Sequence, residues 1–174
     1  MYVRNYRPGV DIPWQTVFQT ENPKELETYC REHDIRCEWK EKDWLQTQQV
    51  CHAMATHPKT GQIIWFNQAH LFHSSNYDER TRQALLSLYG EPGLPRNAYY
   101  GDGTPIEGEA LARVREAFKA ESMTFPWKVN DLLLIDNMLV SHSRNPYKGT
   151  RKILVSMANP YSAAKNTKGI AARS

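Results

Sequence analysis

Apolar positions in residues 1–20 keep no sustained period, and Pro8 and Pro13 interrupt them, so this stretch reads as an extended approach segment. The pattern turns helical at Asn22-Pro23-Lys24-Glu25, with Asn as N-cap, Pro in the first turn and Glu at the third helical position. Leu26, Tyr29 and Cys30 share one face of that helix, which ends near Asp34. A short strand is expected at 35–39 and a longer one over 45–55. After the turn His57-Pro-Lys-Thr-Gly61 the chain returns through 62–67 as a hairpin.

Asn76-Tyr-Asp-Glu79 has the form of a capping box. The helix it opens places Leu85, Leu86 and Tyr89 inward and stops at Gly90, with Pro92 beyond. A Gly/Pro-rich loop follows, and a second helix is expected over about 108–120, with Leu111, Val114 and Phe118 on one stripe. Strands are expected near 123–127, at the fully apolar 132–135, at 138–142 after a turn at Asp136-Asn137, and at 150–158. This divides the chain into a segment and helix at 1–35, a body at 36–158 and a tail at 159–174. The fold class is mainly β with helical insertions, α+β.

Composition narrows the class. The 174 residues are 40% apolar, 24% charged and 11% aromatic, which suits one folded domain. No run approaches the roughly 18 apolar residues of a membrane span, and the first residues lack a signal core. Cys30, Cys37 and Cys51 form neither an even set nor a Cys-x-x-Cys, the usage of reduced thiols in a cytoplasmic protein. The net charge of +3 hides an asymmetry: from residue 141 on, seven basic residues meet no acid. Such a segment suits a small anion as well as nucleic acid, but an apolar strand interrupts it and the overall charge is small. Nucleic acid is therefore not the expected partner.

Strand alternation puts His142 on the side of Met138 and Val140, and Arg151 on the side of Ile153, Val155 and Met157. The face judged inward by apolarity thus carries an imidazole and, on the next strand, a guanidinium. A buried Arg without a partner is costly, so a bound carboxylate is one solution, and the planar fork suits a bidentate grip. The plainer alternative is an Arg at a strand end reaching water, beside a satisfied core histidine.

Trp127-Lys-Val-Asn-Asp131-Leu-Leu-Leu-Ile-Asp136-Asn137-Met-Leu-Val-Ser-His142, followed by Tyr147-Lys-Gly-Thr-Arg151, resembles the C-terminal block of the TauD/TfdA family. These are iron(II)- and 2-oxoglutarate-dependent oxygenases on a double-stranded β-helix, or jelly roll. His57-Pro-Lys-Thr-Gly61 with Trp65-Phe-Asn67 is similar to an upstream family block. Leu94-Pro-Arg-Asn97 with Tyr100-Gly-Asp-Gly103 resembles a subgroup hydroxylating amino acids in peptide-antibiotic pathways. The resemblance implies a chain holding the distal part of a jelly roll. His142 would be an iron(II) ligand, and Arg151 would clamp the far carboxylate of 2-oxoglutarate. O2 would be the co-substrate, with a free or carrier-bound amino acid as the small-molecule substrate. It also lets Asn97 and Asp102 line the substrate mouth, and Asn67 is a candidate for contact with co-substrate or substrate.

In that family a His-x-Asp or His-x-Glu pair completes a 2-His-1-carboxylate iron site. Here the residues two beyond the six histidines are Ile35, Met54, Lys59, Phe72, Ser75 and Arg144, none of them acidic. None is Ala or Gly, which also excludes the halogenase variant. His70-Leu-Phe-His73 reads as loop and packing histidines sooner than as a substitute metal pair. The expectation is a C-terminal portion of such an oxygenase, prone to self-association where an N-terminal segment would cover it. The alternative is a catalytically inactive remnant acting as a binding module.

Overall fold

The computed structural model describes residues 1–41, 43–150 and 152–160. They fall into two compact units. One is Met1–Ala53 with Asn67–Asn130, and the other is Met54–Phe66 with the described residues from Asp131 on.

The first unit is built on a four-stranded antiparallel sheet of β1 (Tyr2–Tyr6), β2 (Ile35–Glu41), β3 (Trp44–Gln49) and β6 (Arg96–Ala98), in the order β2-β3-β1-β6. Tyr6 stands opposite Leu45 and Arg4 opposite Thr47, so these share a face, while Val3, Asn5, Gln46 and Gln48 lie on the other. The first face receives α1 (Trp14–Phe18) and α2 (Pro23–Glu32). Tyr6, Trp14, Leu26, Cys30 and Leu45 form its buried core, with Phe18, Ile35, Cys37 and Trp39 packed around them. Burial and the neighbouring Cys37 thiol push Cys30 up to about 12, so it stays a neutral thiol.

Tyr2–Tyr6 corrects the sequence reading: the expected approach segment is an interior strand. Hydrogen-bonded neighbours flank it on both edges, so it needs no clean alternation to be held. The strand expected over 45–55 stops at Gln49 because its partners run out there. Gln49 faces Tyr2 on one side and Ile35 on the other, the first residues of β1 and β2. Asn22 caps α2 as expected, its side chain accepting from the Lys24 amide at 3.0 Å.

The first unit also holds α3 (Ala69–Phe72), α4 (Glu79–Tyr89) and α5 (Gly108–Ala120). Asp78, not Asn76, caps α4, with its carboxylate accepting from the Thr81 amide at 3.0 Å. Asn76 instead closes a preceding 3-10 turn, Ser74–Asn76.

In the second unit β4 (Met54–Thr56) and β5 (Ile63–Trp65) make a two-stranded antiparallel hairpin, shorter than the one read from sequence. The strands expected near 123–127 and at 132–135, 138–142 and 150–158 do not form among the described residues. Leu132 and Leu134 stand more than nine-tenths exposed. An apolar sequence supplies strand propensity but no ladder partners, and without partners the extended segment pairs with nothing. The architecture is mixed α+β. Among the described residues no helix is long and apolar enough to cross a membrane.

Candidate functional site

Within the second unit, His57 follows β4 directly and is 3% exposed. The tight loop after it is closed by the His57 amide donating to Gln62 O (2.8 Å) and the Gly61 amide donating to His57 O (2.9 Å). Gly61 has φ +71°, a conformation that strains any side-chain-bearing residue. This loop delivers the Thr60 amide to His57 Nδ1 at 3.1 Å. A backbone N–H only donates, so Nδ1 is the acceptor and Nε2 carries the hydrogen of the neutral ring. Nε2 lies 3.0 Å from Asp136 Oδ2 and donates to it.

Asp136 in turn organises the segment carrying the expected iron ligand. Its Oδ1 accepts from the Met138 amide (3.0 Å), and its carbonyl accepts from Leu139 and Val140 (both 3.1 Å). The Met138 amide above all, and then His57, hold the Asp136 carboxyl below the usual range. The turn brings Asn137 Oδ1 to 3.2 Å from Nδ1 of His142. A carbonyl oxygen accepts, so Nδ1 of His142 is the donor, and in the neutral ring the lone pair lies on Nε2. Metal-binding imidazoles take this arrangement, with one nitrogen fixed by an oxygen acceptor and the other free to ligate. His142 is exposed, and Arg151 lies outside the described residues.

The other candidates belong to the first unit. Asn67 accepts from the Tyr2 hydroxyl and the Ala69 amide, both at 2.7 Å, and donates to His52 O at 2.9 Å. Asn97 is 2% exposed; its Oδ1 accepts from the Ser74 and Ala98 amides at 3.0 Å, and its Nδ2 donates to the Tyr99 hydroxyl. Asp102 accepts from the amide and hydroxyl of Thr104, which lower its pKa and fold the Gly-Asp-Gly turn. Asn67 and Asn97 use both polar side-chain atoms within the chain, and Asp102 uses its Oδ1. Two clefts open on the sheet, one on each face. One of about 410 Å³ is walled by Asn5, Gln46, Gln48 and Asn97, and one of about 460 Å³ by Tyr2, Arg4, Tyr6 and Phe72.

His70 and His73 do not form a metal pair. His70 is 5% exposed and stacks on Phe118 at 4.5 Å, while His73 Nδ1 accepts from the Ser75 amide. Among the described residues no three His, Cys, Asp or Glu side chains are grouped to hold a metal ion. His142 offers one imidazole, a fit to a single position of an iron site. The role of His57 was not read from the sequence; its signal was the His57-Pro-x-Thr-Gly61 loop, which fixes the tautomer but does not name the distant carboxylate.

The sequence profile of the taurine catabolism dioxygenase TauD, TfdA family matches residues 16–157, and the chain belongs to that family. The dapdiamide synthesis protein DdaC of Enterobacter agglomerans is 43% identical over 159 residues, 91% of this chain and 48% of that protein. A clavaminate synthase-like protein of Arabidopsis thaliana is 26% identical over 146 residues, 83% of this chain and 41% of that protein. The chain therefore spans about half the length of the curated relatives it matches.

Proposed function

We propose that this chain contributes the distal half of an iron(II)- and 2-oxoglutarate-dependent oxygenase that hydroxylates a small, amino-acid-like substrate, free or carrier-bound, on a jelly-roll framework. The observation that carries the reading is the His142 imidazole, whose Nδ1 is engaged by Asn137 at 3.2 Å, which leaves Nε2 as the nitrogen available to ligate. Membership of the dioxygenase family and similarity to a dapdiamide synthesis protein support it.

In this reading His142 supplies one iron ligand and Arg151 binds the far carboxylate of 2-oxoglutarate. An iron(II) held by His142 and by ligands from elsewhere would supply O2 activation, coupling the decarboxylation of 2-oxoglutarate to succinate and CO2, which takes up one oxygen atom, to insertion of the other into a substrate C–H bond. The protein's part is placement. The planar guanidinium fixes the co-substrate's long axis, and the Asn137 contact fixes the imidazole's tautomer and plane. Asn67, Asn97 and Asp102 enter as residues that hold the loops at the substrate mouth, since each makes side-chain hydrogen bonds to its own chain.

One imidazole is a weak iron site, because affinity comes from closing several ligands around one centre. The 174-residue chain with iron(II), ascorbate and 2-oxoglutarate is therefore expected to give no succinate above background. Joined in cis to a segment bearing His-x-Asp/Glu, it is expected to release succinate in step with substrate hydroxylation. In that fusion Arg151→Ala should raise the 2-oxoglutarate requirement by ~30- to several-thousand-fold, the worth of breaking a charge-assisted pair. A change below about threefold moves the clamp elsewhere, to Lys152 first. Turnover by the lone chain overturns the incomplete ligand set. A fusion that neither binds 2-oxoglutarate nor turns over favours the inactive remnant.

A further inference from the structure

The second unit holds a buried histidine for which the proposed oxygenase chemistry has no direct use. His57 is 3% exposed, yet both ring nitrogens are engaged: Nδ1 by the Thr60 amide at 3.1 Å and Nε2 by Asp136 at 3.0 Å. Asp136 lies 79 positions along the chain from it. A histidine buried merely for packing needs no such pair. Here the first contact dictates the tautomer and the second uses the hydrogen that the tautomer leaves on Nε2.

We propose that His57 is a positioning residue for His142, acting through Asp136 and the turn that follows it. The proposal deepens the iron-ligand reading of His142 and rests on it for its functional meaning. The physical chain is short. His57 holds one carboxylate oxygen of Asp136, while the other oxygen and the main-chain carbonyl take the Met138, Leu139 and Val140 amides. Those bonds fold 136–140 back so that Asn137 meets Nδ1 of His142 at 3.2 Å.

Without His57, Asp136 is a carboxylate nearly half exposed and free to turn towards water, and the turn must order itself. The imidazole of His142 then samples both tautomers, and its Nε2 lone pair is no longer pre-set. The Asp–His contact is thus an orienting partner for the ligand one step removed, a layer of metal-site design that alters occupancy without touching the metal.

The test uses the full chain, 15N-labelled at histidine, without metal. In the unsubstituted chain His57 is expected in the Nε2–H form and His142 in the Nδ1–H form. An Nδ1–H ring at His57 overturns the proposal with no variant needed. His57→Leu removes both contacts and is expected to speed hydrogen exchange at the Met138, Leu139 and Val140 amides by about tenfold or more. It should also shift His142 towards a mixed tautomer, while the amides of Tyr2–Tyr6 keep their protection. His57→Gln, which keeps an N–H aimed at Asp136, should restore the turn and the His142 signature in good part.

Unchanged exchange and tautomer in His57→Leu, or equal damage in the Leu and Gln variants with the sheet intact, overturns the proposal. No readout involves iron, so failure of the iron-ligand reading leaves these results standing, and their failure leaves that reading to its own assay.

Discussion

His70 shows how a single side chain carries a condition on the environment in which the fold persists. Its ring is stacked on Phe118, Nδ1 is buried without a partner, and Arg115 donates to its carbonyl at 3.2 Å and to Ser75 Oγ at 2.6 Å. Burial first, and the Arg115 guanidinium second, hold its pKa below the ordinary 6.5. The unfolded chain therefore binds the proton before the folded one does. The stability contributed by the neutral ring is complete above pH 6.5 and is lost as the pH falls from there through the lowered folded value. Urea midpoints taken from pH 7.5 downward should fall, with a slope of at most about 1.4 kcal/mol per pH unit from this group. His70→Phe should flatten that fall. An unchanged slope would assign the acid sensitivity to another group, with His73 next, since burial and Arg115 lower it too. At this scale the sequence could single out His142 and Arg151 as candidates, because a motif of fixed spacing is local information. It could not announce the His57–Asp136 contact, because nothing local to either residue names the other.

Secondary-structure elements were legible where their signals lie within one turn. Asn22-Pro23-x-Glu25 starts α2 because the cap, the missing proline N–H and the acid in the first turn act on adjacent residues. The structure adds that Thr20 donates to Glu25 and that Asn22 Nδ2 reaches the same carboxylate. Asn22→Ala is accordingly expected to cost about 1 kcal/mol, read as a lower urea midpoint, with Asn22→Asp or Asn22→Ser losing much less. Equal loss in all three would mean that the cap bond contributes nothing. Gly90 at the end of α4 and the apolar stripe of α5 were readable for the same local reason. Strand β1 was not, since Tyr2–Tyr6 is fixed by β3 and β6, which lie about 40 and 95 residues away in sequence. The apolar run at 132–135 fails in the opposite sense: its propensity is strong, yet a strand is a relation between two segments, and these residues have no ladder partner among the described residues.

At the scale of the whole molecule, exposed apolar surface and charge lead to different expectations for behaviour in solution. Leu132 and Leu134 are 94% and 93% exposed, and Val155 and Met157 are 77% and 90% exposed, more than scattered surface residues would explain. Strands β2 and β6 also end the four-stranded sheet, with no further strand paired to them among the described residues. The chain is expected to self-associate at micromolar concentration, seen as a rising mass by light scattering and sedimentation. The basic stretch from residue 141 offers a competing cause, through attraction to the acidic remainder of another copy. Salt separates the two. Charge-driven association weakens as the screening length falls from about 10 Å at 0.1 M to about 3 Å at 1 M salt, whereas apolar association persists or strengthens in sulfate. The expected result is association that survives 1 M salt and is reduced by Leu134→Lys, with the amides of Tyr2–Tyr6 still protected. A clean monomer throughout, or assemblies that dissolve with salt and ignore Leu134→Lys, would show that the exposed apolar residues are not what draws the chains together.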